Sequence, residues 1–346
     1  MVQRALIVLL ALGPLDILLD RLGLLGEFGL FALSAAALVP LAWLIGEATE
    51  KAAEHTGPGI GGFLNATFGN APELIIALFA VADGLTEVVR GSLTGSVVGN
   101  LLLVLGFSLL VGGRGTLDRA STLVSLGLVA FATAAFLLPA IPSWSGDPER
   151  RSIADLSLPV SILLLVAYLG ATWLSLRRHH RLHVSDAPAE VRGWTLSTAL
   201  VVLALATTVT AFVAEILVGS LERFAEKAHL SDFFVAAVVV AIVGNAAEHG
   251  GAVVVAHRGN VRLAAEIALA SSAQVAVFLV PSVALLAWAI EPLALAFRPV
   301  EVIALALSTF LAAALVADGK SSRSHGVALI VAYAAVASAF FLAGDR

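Results

Sequence analysis

The sequence contains no cysteine. Disulfides and thiolate metal ligands are therefore excluded, and any metal must be held by oxygen or imidazole, a donor set that favours hard cations. Charge is nearly as scarce: 13% of the 346 residues are Asp, Glu, Lys or Arg, against 59% hydrophobic, and the mean hydropathy is +0.98. No soluble domain of this size keeps such a balance, so the composition specifies a membrane protein. The zinc-protease pattern His-Glu-x-x-His is also missing; Glu248-His249 with His257 has the wrong order and spacing, and no serine has a base at a matched position. We therefore expect neither an enzyme nor a cofactor, and no nucleic-acid partner. No long tail or soluble domain that could regulate the protein is evident, which fits a compact prokaryotic form in the cytoplasmic (inner) membrane; a homo-oligomer is compatible with the sequence.

A hydrocarbon core takes about 20 apolar residues per helix. Applied along the chain, this predicts an all-α integral membrane protein of about eleven helices, near 5–20, 28–46, 60–82, 91–112, 119–141, 155–176, 194–217, 232–256, 263–289, 299–317 and 325–343. The first is short, yet no small-residue cleavage site follows it, so it reads as a helix rather than a secretory signal. If loops alternate sides, Arg4, Lys51, Arg114, Arg119, Arg177, Arg178, Arg181, Arg192, Arg258, Arg262, Lys320 and Arg323 lie on the side of the N-terminus, twelve of the twenty Lys and Arg. That bias places the N-terminus in the cytoplasm and the C-terminus outside. Trp43, Trp144, Trp173, Trp194 and Trp288 fall mostly near span ends, as an aromatic belt requires.

The chain repeats itself. Gly69-Asn70-Ala71-Pro72-Glu73 recurs 175 residues later as Gly244-Asn245-Ala246-Ala247-Glu248, and Ser96 is followed at the same interval by Ser271. Each repeat would hold five spans, and an odd number per repeat forces the second to insert upside down, the inverted plan of secondary transporters. The expected organisation is an extra N-terminal helix (1–26), a first five-helix repeat (27–176), a cytoplasmic linker (177–193) and a second, inverted repeat (194–346). Close helix packing explains repeated glycines. It does not explain an ionisable residue at the same place in both halves.

Glu73 and Glu248 lie deep in their spans, where a carboxylate costs on the order of 3 kcal/mol and must be paired with a cation or protonated. Those two options are the two loaded states of an exchanger. Asn70 with Glu73, Asn245 with Glu248, Ser96 with Asn100, and Ser271 with Gln274 are three or four residues apart and share helix faces. Calcium takes six to eight oxygens in irregular geometry, and this set supplies carboxylates, amides and hydroxyls. Pro72 should break its helix one residue before Glu73; with Ala247 in its place, the second break should be weaker. Two carboxylates are neutralised by one divalent cation or by two protons, which gives obligatory exchange at one alternately exposed site.

At these residues the sequence resembles the cation/proton exchanger family of the calcium/cation antiporter superfamily. The resemblance runs from about Leu44 to Ala287 and rests on Asn65 to Leu74, on Gly95-Ser96 with Asn100 to Gly106, on Gly244 to His249, and on Ser271 to Gln274. It implies a ten-helix core, cation binding at Glu73 and Glu248 with Asn70 and Asn245 beside them, and polar partners at Ser96, Asn100, Ser271 and Gln274. Its substrates would be Ca2+ and H+. Sodium/calcium exchangers share this architecture but carry Ser or Thr beside Pro-Glu, where this chain has Gly-Asn-Ala twice. Gly219 stands where the family often has an acid four residues after the position of Glu215, so a gating pair there is in doubt.

Glu50, Glu215 and Glu222 stand near helix ends, as a cation vestibule, a proton relay or a merely solvated end; Glu50 belongs to Ala48-Thr49-Glu50, which matches the family. His249 adjoins Glu248 and either tunes it or packs with a backbone hydrogen bond. His179, His180 and His183 read as part of a solvated basic linker, and Glu27, Glu87, Glu226 and Glu301 as interface residues. The competing transport readings are sodium-coupled exchange, a wider cation range that includes Mn2+, Na+ or K+, and a channel lined by acids.

Overall fold

A computed structural model describes residues 2–182 and 193–345. Most of the expected linker, with His183 and Arg192, lies outside the described residues. Among the described residues, eight helical runs are long and apolar enough to cross a bilayer: Glu27–Thr56, Thr86–Gly112, Arg119–Ser143, Arg151–Leu174, Leu196–Ala228, Val261–Ala287, Pro299–Val316 and Arg323–Ala343. The remaining three of the eleven expected spans are not single helices.

The first of these, 5–20, is two short helices, α1 (Val2–Leu9) and α2 (Leu12–Arg21). Pro14 has no N–H for the carbonyl of Leu10, and its ring crowds that carbonyl, which favours the break at Leu10–Ala11. Between the expected spans 28–46 and 60–82, helical backbone is continuous in α3 (Glu27–Gly69). It is nevertheless folded back on itself. A Cβ on Gly61 would lie 3.0 Å from Ala53, although eight residues of straight helix rise about 12 Å. The third expected span then breaks again, at Asn70, before α4 (Ala71–Ala82).

After α4 come α5 (Thr86–Val98), a π-helical segment (Gly99–Val104) and α6 (Leu105–Gly112), which form one span. Next are α7 (Arg119–Ser143), α8 (Arg151–Leu182) and α9 (Leu196–Ala228). The broken span of the second half is α10 (Asp232–Phe234), a π segment (Val235–Val240), α11 (Ala241–Gly244) and, past Asn245, α12 (Ala246–His257), bent by 57°. The chain closes with α13 (Val261–Gln274), a third π segment (Val275–Leu279), α14 (Val280–Ala287), α15 (Pro299–Val316) and α16 (Arg323–Ala343). Polar caps satisfy the first amides where helices begin: Asp118 accepts from Ser121, Thr195 from Thr198, Asn260 from Leu263 and Ser322 from His325.

Contacts between loops sort the chain onto two ends of the bundle. At one end His55 Nε2 donates to the Trp194 carbonyl at 2.8 Å, Arg262 pairs with Asp118 at 2.6 Å, and the two-residue strands β1 (Gly115–Thr116) and β2 (Lys320–Ser321) pair antiparallel. At the other, Arg90 pairs with Glu149 at 2.7 Å, Trp144 Nε1 donates to the Phe297 carbonyl, and Arg298 donates to the Gly344 carbonyl. We call these the basic end and the Asp345 end. α4 runs toward the Asp345 end and α12 toward the basic end, so the two glutamate-bearing half-helices are antiparallel, as an inverted repeat demands. The protein is an all-α integral membrane protein.

Candidate cation-binding site

The two helix breaks make the site. Each comes at the asparagine of the repeated motif, where the backbone leaves helical geometry: φ −103°, ψ 15° at Asn70 and φ −91°, ψ 4° at Asn245. The weaker break expected at Asn245 is not found. Ala247 lacks the steric demand of Pro72, yet the backbone angles at the two asparagines are alike.

The breaks cross, and each glutamate lies over the other repeat's glycine. A Cβ built on Gly244 would meet Glu73 Cγ at 3.2 Å, and one on Gly69 would come within 3.8 Å of Glu248 Oε1. A side chain at Gly244 would force Glu73 to give way, whereas at Gly69 a methyl would only touch Glu248. Asn70, Asn100 and Asn245 are each 1% exposed, Ser96 2% and Glu73 8%, so the polar groups sit inside the protein where each unmade bond is costly.

Hydrogen bonds join the two halves through these side chains. Asn245 Nδ2 donates to Ser96 Oγ at 2.9 Å and to its own helix at the Ala241 carbonyl. Asn100 Nδ2 donates to Ser271 Oγ at 3.0 Å and to Asn245 Oδ1 at 3.4 Å. Ser271 in turn donates to Glu248. Both amide nitrogens thereby use all their hydrogens. What remains unpaired is acceptor: Glu73 Oε2 and Asn100 Oδ1 are buried without a hydrogen-bond partner among the described residues. A surplus of buried oxygen acceptors is satisfied by a cation or a proton. A cavity of about 10 Å³, about the room one water needs, adjoins Glu73 and is lined by Ser92, Ser96, Val240 and Ala241 among others.

π-Helical turns carry part of this set. Asn100 lies in the first, and Gln274 immediately precedes the third, 175 residues after Gly99. Such turns are frequent at functional sites because the wider ring re-aims side chains. The 175-residue register pairs Gln274 with Gly99 and Asn100 with Val275. No hydrogen bond among the described residues joins Gln274 to the network.

The outlying candidates separate from the site. Glu50, Glu215 and Glu222 are exposed; Glu215 lines a cavity of about 290 Å³ with Asp20, Arg21 and Glu27 where α2, α3 and α9 meet. His249 Nε2 is buried without a hydrogen-bond partner among the described residues. Glu301, read as an interface residue, is 1% exposed and accepts from Thr94 Oγ1 at 3.2 Å and from the Arg298 amide at 2.7 Å. Arg90, also 1% exposed, escaped notice because its helix starts at Thr86, five residues before the expected span, and so carries the arginine inside.

The comparisons agree with this geometry. The sodium/calcium exchanger protein family model matches residues 26–177 and 198–342. A Ca(2+)/H(+) antiporter of Synechocystis is 37% identical over 98% of this chain and 97% of its own length, and the Ca(2+)/H(+) antiporter ChaA of Bacillus subtilis 38% identical over 90% and 92%. The solved structure of native YfkE superposes with a TM-score of 0.84 at 35% identity, covering 97% of this chain and 99% of that one. With both halves and both breaks inside the matched segments, the chain belongs to the sodium/calcium exchanger protein family.

Proposed function

We propose that the protein is a secondary antiporter that exchanges Ca2+ for H+ by alternating access, with Glu73 and Glu248 binding either the cation or protons. The observation that carries this reading is the surplus of buried acceptors at the crossing of the two breaks, where the amide donors are already used. Ca2+ would take oxygens from Glu73, Glu248 and the Asn100 carbonyl, with water completing a set of six to eight. Ser96, Ser271, Asn70 and Asn245 orient that set. Ca2+ and two protons carry the same charge to the site, so each loaded form is neutral there and able to cross, while the empty dianion is held back. The relatives' names as Ca(2+)/H(+) antiporters support proton coupling over sodium coupling. Transport proceeds without a chemical conversion or a resident cofactor. The divisions at 26, 176 and 193 and a cytoplasmic N-terminus with the Asp345 end outside complete the reading, in a prokaryotic inner membrane.

The test is Ca2+ uptake into vesicles with an imposed pH gradient, with and without sodium, for the wild type, Glu73→Gln and Glu248→Gln. Uptake that needs the pH gradient, ignores sodium and vanishes in both variants is the expected result. Uptake driven by a sodium gradient would establish sodium coupling instead, flux without any proton movement would indicate a channel, and normal transport in either variant would misplace the site.

A further inference from the structure

The Asp345 end of the site is shut at two glycines of α5. A Cβ on Gly95 would lie 2.0 Å from the Ala237 carbonyl oxygen, and one on Gly91 would meet the Phe233 ring at 3.0 Å. The segment from Asp232 to Gly244 therefore lies directly on α5, over the cavity beside Glu73. The repeat mate of Gly95 is Ala270, which is exposed. The tight contact at Gly95 is thus not repeated at its mate.

Phe233 is where this seal is held. Its ring lies under the Arg298 guanidinium, 3.9 Å from the ring centroid, and against Phe340 of α16 at 5.3 Å. Its amide and that of Asp232 both donate to the Asp345 carboxylate, at 3.0 and 3.3 Å. Arg298 itself is mounted on both sides of the seal. Its backbone amide is held by Glu301, which also accepts from Thr94 of α5, and its side chain reaches the Gly344 carbonyl at 2.9 Å and Glu87 of α5 at 4.0 Å. Four elements thus converge on one residue of the Asp232–Gly244 segment: α5, the loop before α15, α16 and the residues that follow it.

We infer that Arg298 and Asp345 are positioning residues for the access step, a latch that holds Phe233 and the helix start at Asp232 against α5 and so keeps the Asp345 end closed. The inference rests on the alternating-access reading. Opening that end requires the Asp232–Gly244 segment to leave Gly91 and Gly95, and this cannot happen while Asp345 caps its first amides and Arg298 covers its ring. The cap is charge-assisted and the cation over the aromatic face is partly desolvated, so both contacts favour the closed arrangement and neither touches the transported ion.

The absence of cysteine makes the test direct. A single Ser92→Cys reporter in the cavity wall is labelled with a membrane-impermeant maleimide from one side at a time, alone and combined with Asp345→Asn, Arg298→Gln or Arg298→Lys. Asp345 is exposed, so its variant tests the latch even where Arg298→Gln fails to fold. Labelling from the Asp345 end should rise at least threefold with Asp345→Asn and with Arg298→Gln, and stay near the reporter's own level with Arg298→Lys. Unchanged labelling in a folded Asp345→Asn protein would overturn the latch, as would an equal rise from the basic end. Labelling is read without a Ca2+ gradient. Retained transport in Glu73→Gln would therefore remove the proposed exchange site and leave the accessibility result standing.

Discussion

The two halves of the molecule share a motif and differ in how the rest of each half treats it. The first half has proline after its break and the second has alanine, but the backbone at Asn70 and Asn245 is alike. Twenty-five residues further on, Gly95 is pressed onto a carbonyl of the opposite repeat while its mate Ala270 is exposed. The lesson is that the breaks belong to the shared architecture. The packing around the two mates is what differs.

The sharpest way to break this comparison is to substitute the mates. Gly95→Ala should destabilise the protein by on the order of 3 kcal/mol, since the methyl would overlap a backbone oxygen, and reduce Ca2+ uptake at least tenfold; Ala270→Gly should leave uptake within a factor of two. Equal effects would mean that the two routes are equivalent. The glutamates come next. Glu73 has an unpaired oxygen and Glu248 a serine donor, so Glu73→Gln should raise the melting temperature at neutral pH by on the order of 2 °C, whereas Glu248→Gln should not. A rise in both would remove the asymmetry.

A smaller effect is expected at the basic end. The Ser121 amide, with Arg262 beside it, holds the Asp118 carboxyl below the usual carboxylate range. A carboxyl lowered in this way stabilises the fold at neutral pH, and the contribution is lost as acidification protonates it. Asp118→Ala should cost about 1 kcal/mol of α7 stability at neutral pH and less in acid, as thermal melts at the two pH values would show. The smallest effect is expected for Pro72→Ala, which turns the first motif into a near copy of the second. Uptake should remain within about twofold, and its loss would restore the proline as the cause of the break.

The site was largely legible in the sequence because repetition and cost coincide there: an acid deep in an apolar span, twice, at a constant interval. Glu73, Glu248, Asn245, Ser96, Asn100 and Ser271 converge as their shared helix faces implied. Gln274 did not follow: it ends α13, just ahead of the third π segment, and no hydrogen bond among the described residues ties it to the network. The fold-back in α3 was implied by the two separate spans 28–46 and 60–82, but its continuous helical backbone was not; the split first span was hidden because hydropathy counts apolar residues and is blind to where a proline turns the chain. The Arg90, Arg298 and Glu301 cluster carries no motif at all. Charges near span ends read as solvated until tertiary packing covers them.

The central claim is that one site between the halves takes either Ca2+ or protons, and proton release on Ca2+ binding tests it most directly. Purified protein in weakly buffered solution near neutral pH is titrated with Ca2+ while the pH is recorded, for the wild type and for Glu73→Gln and Glu248→Gln. The account predicts saturable binding of one Ca2+ with release of protons in the wild type, and loss of both signals in each variant. Ca2+ binding that releases no proton, or that survives in either single variant, would contradict it.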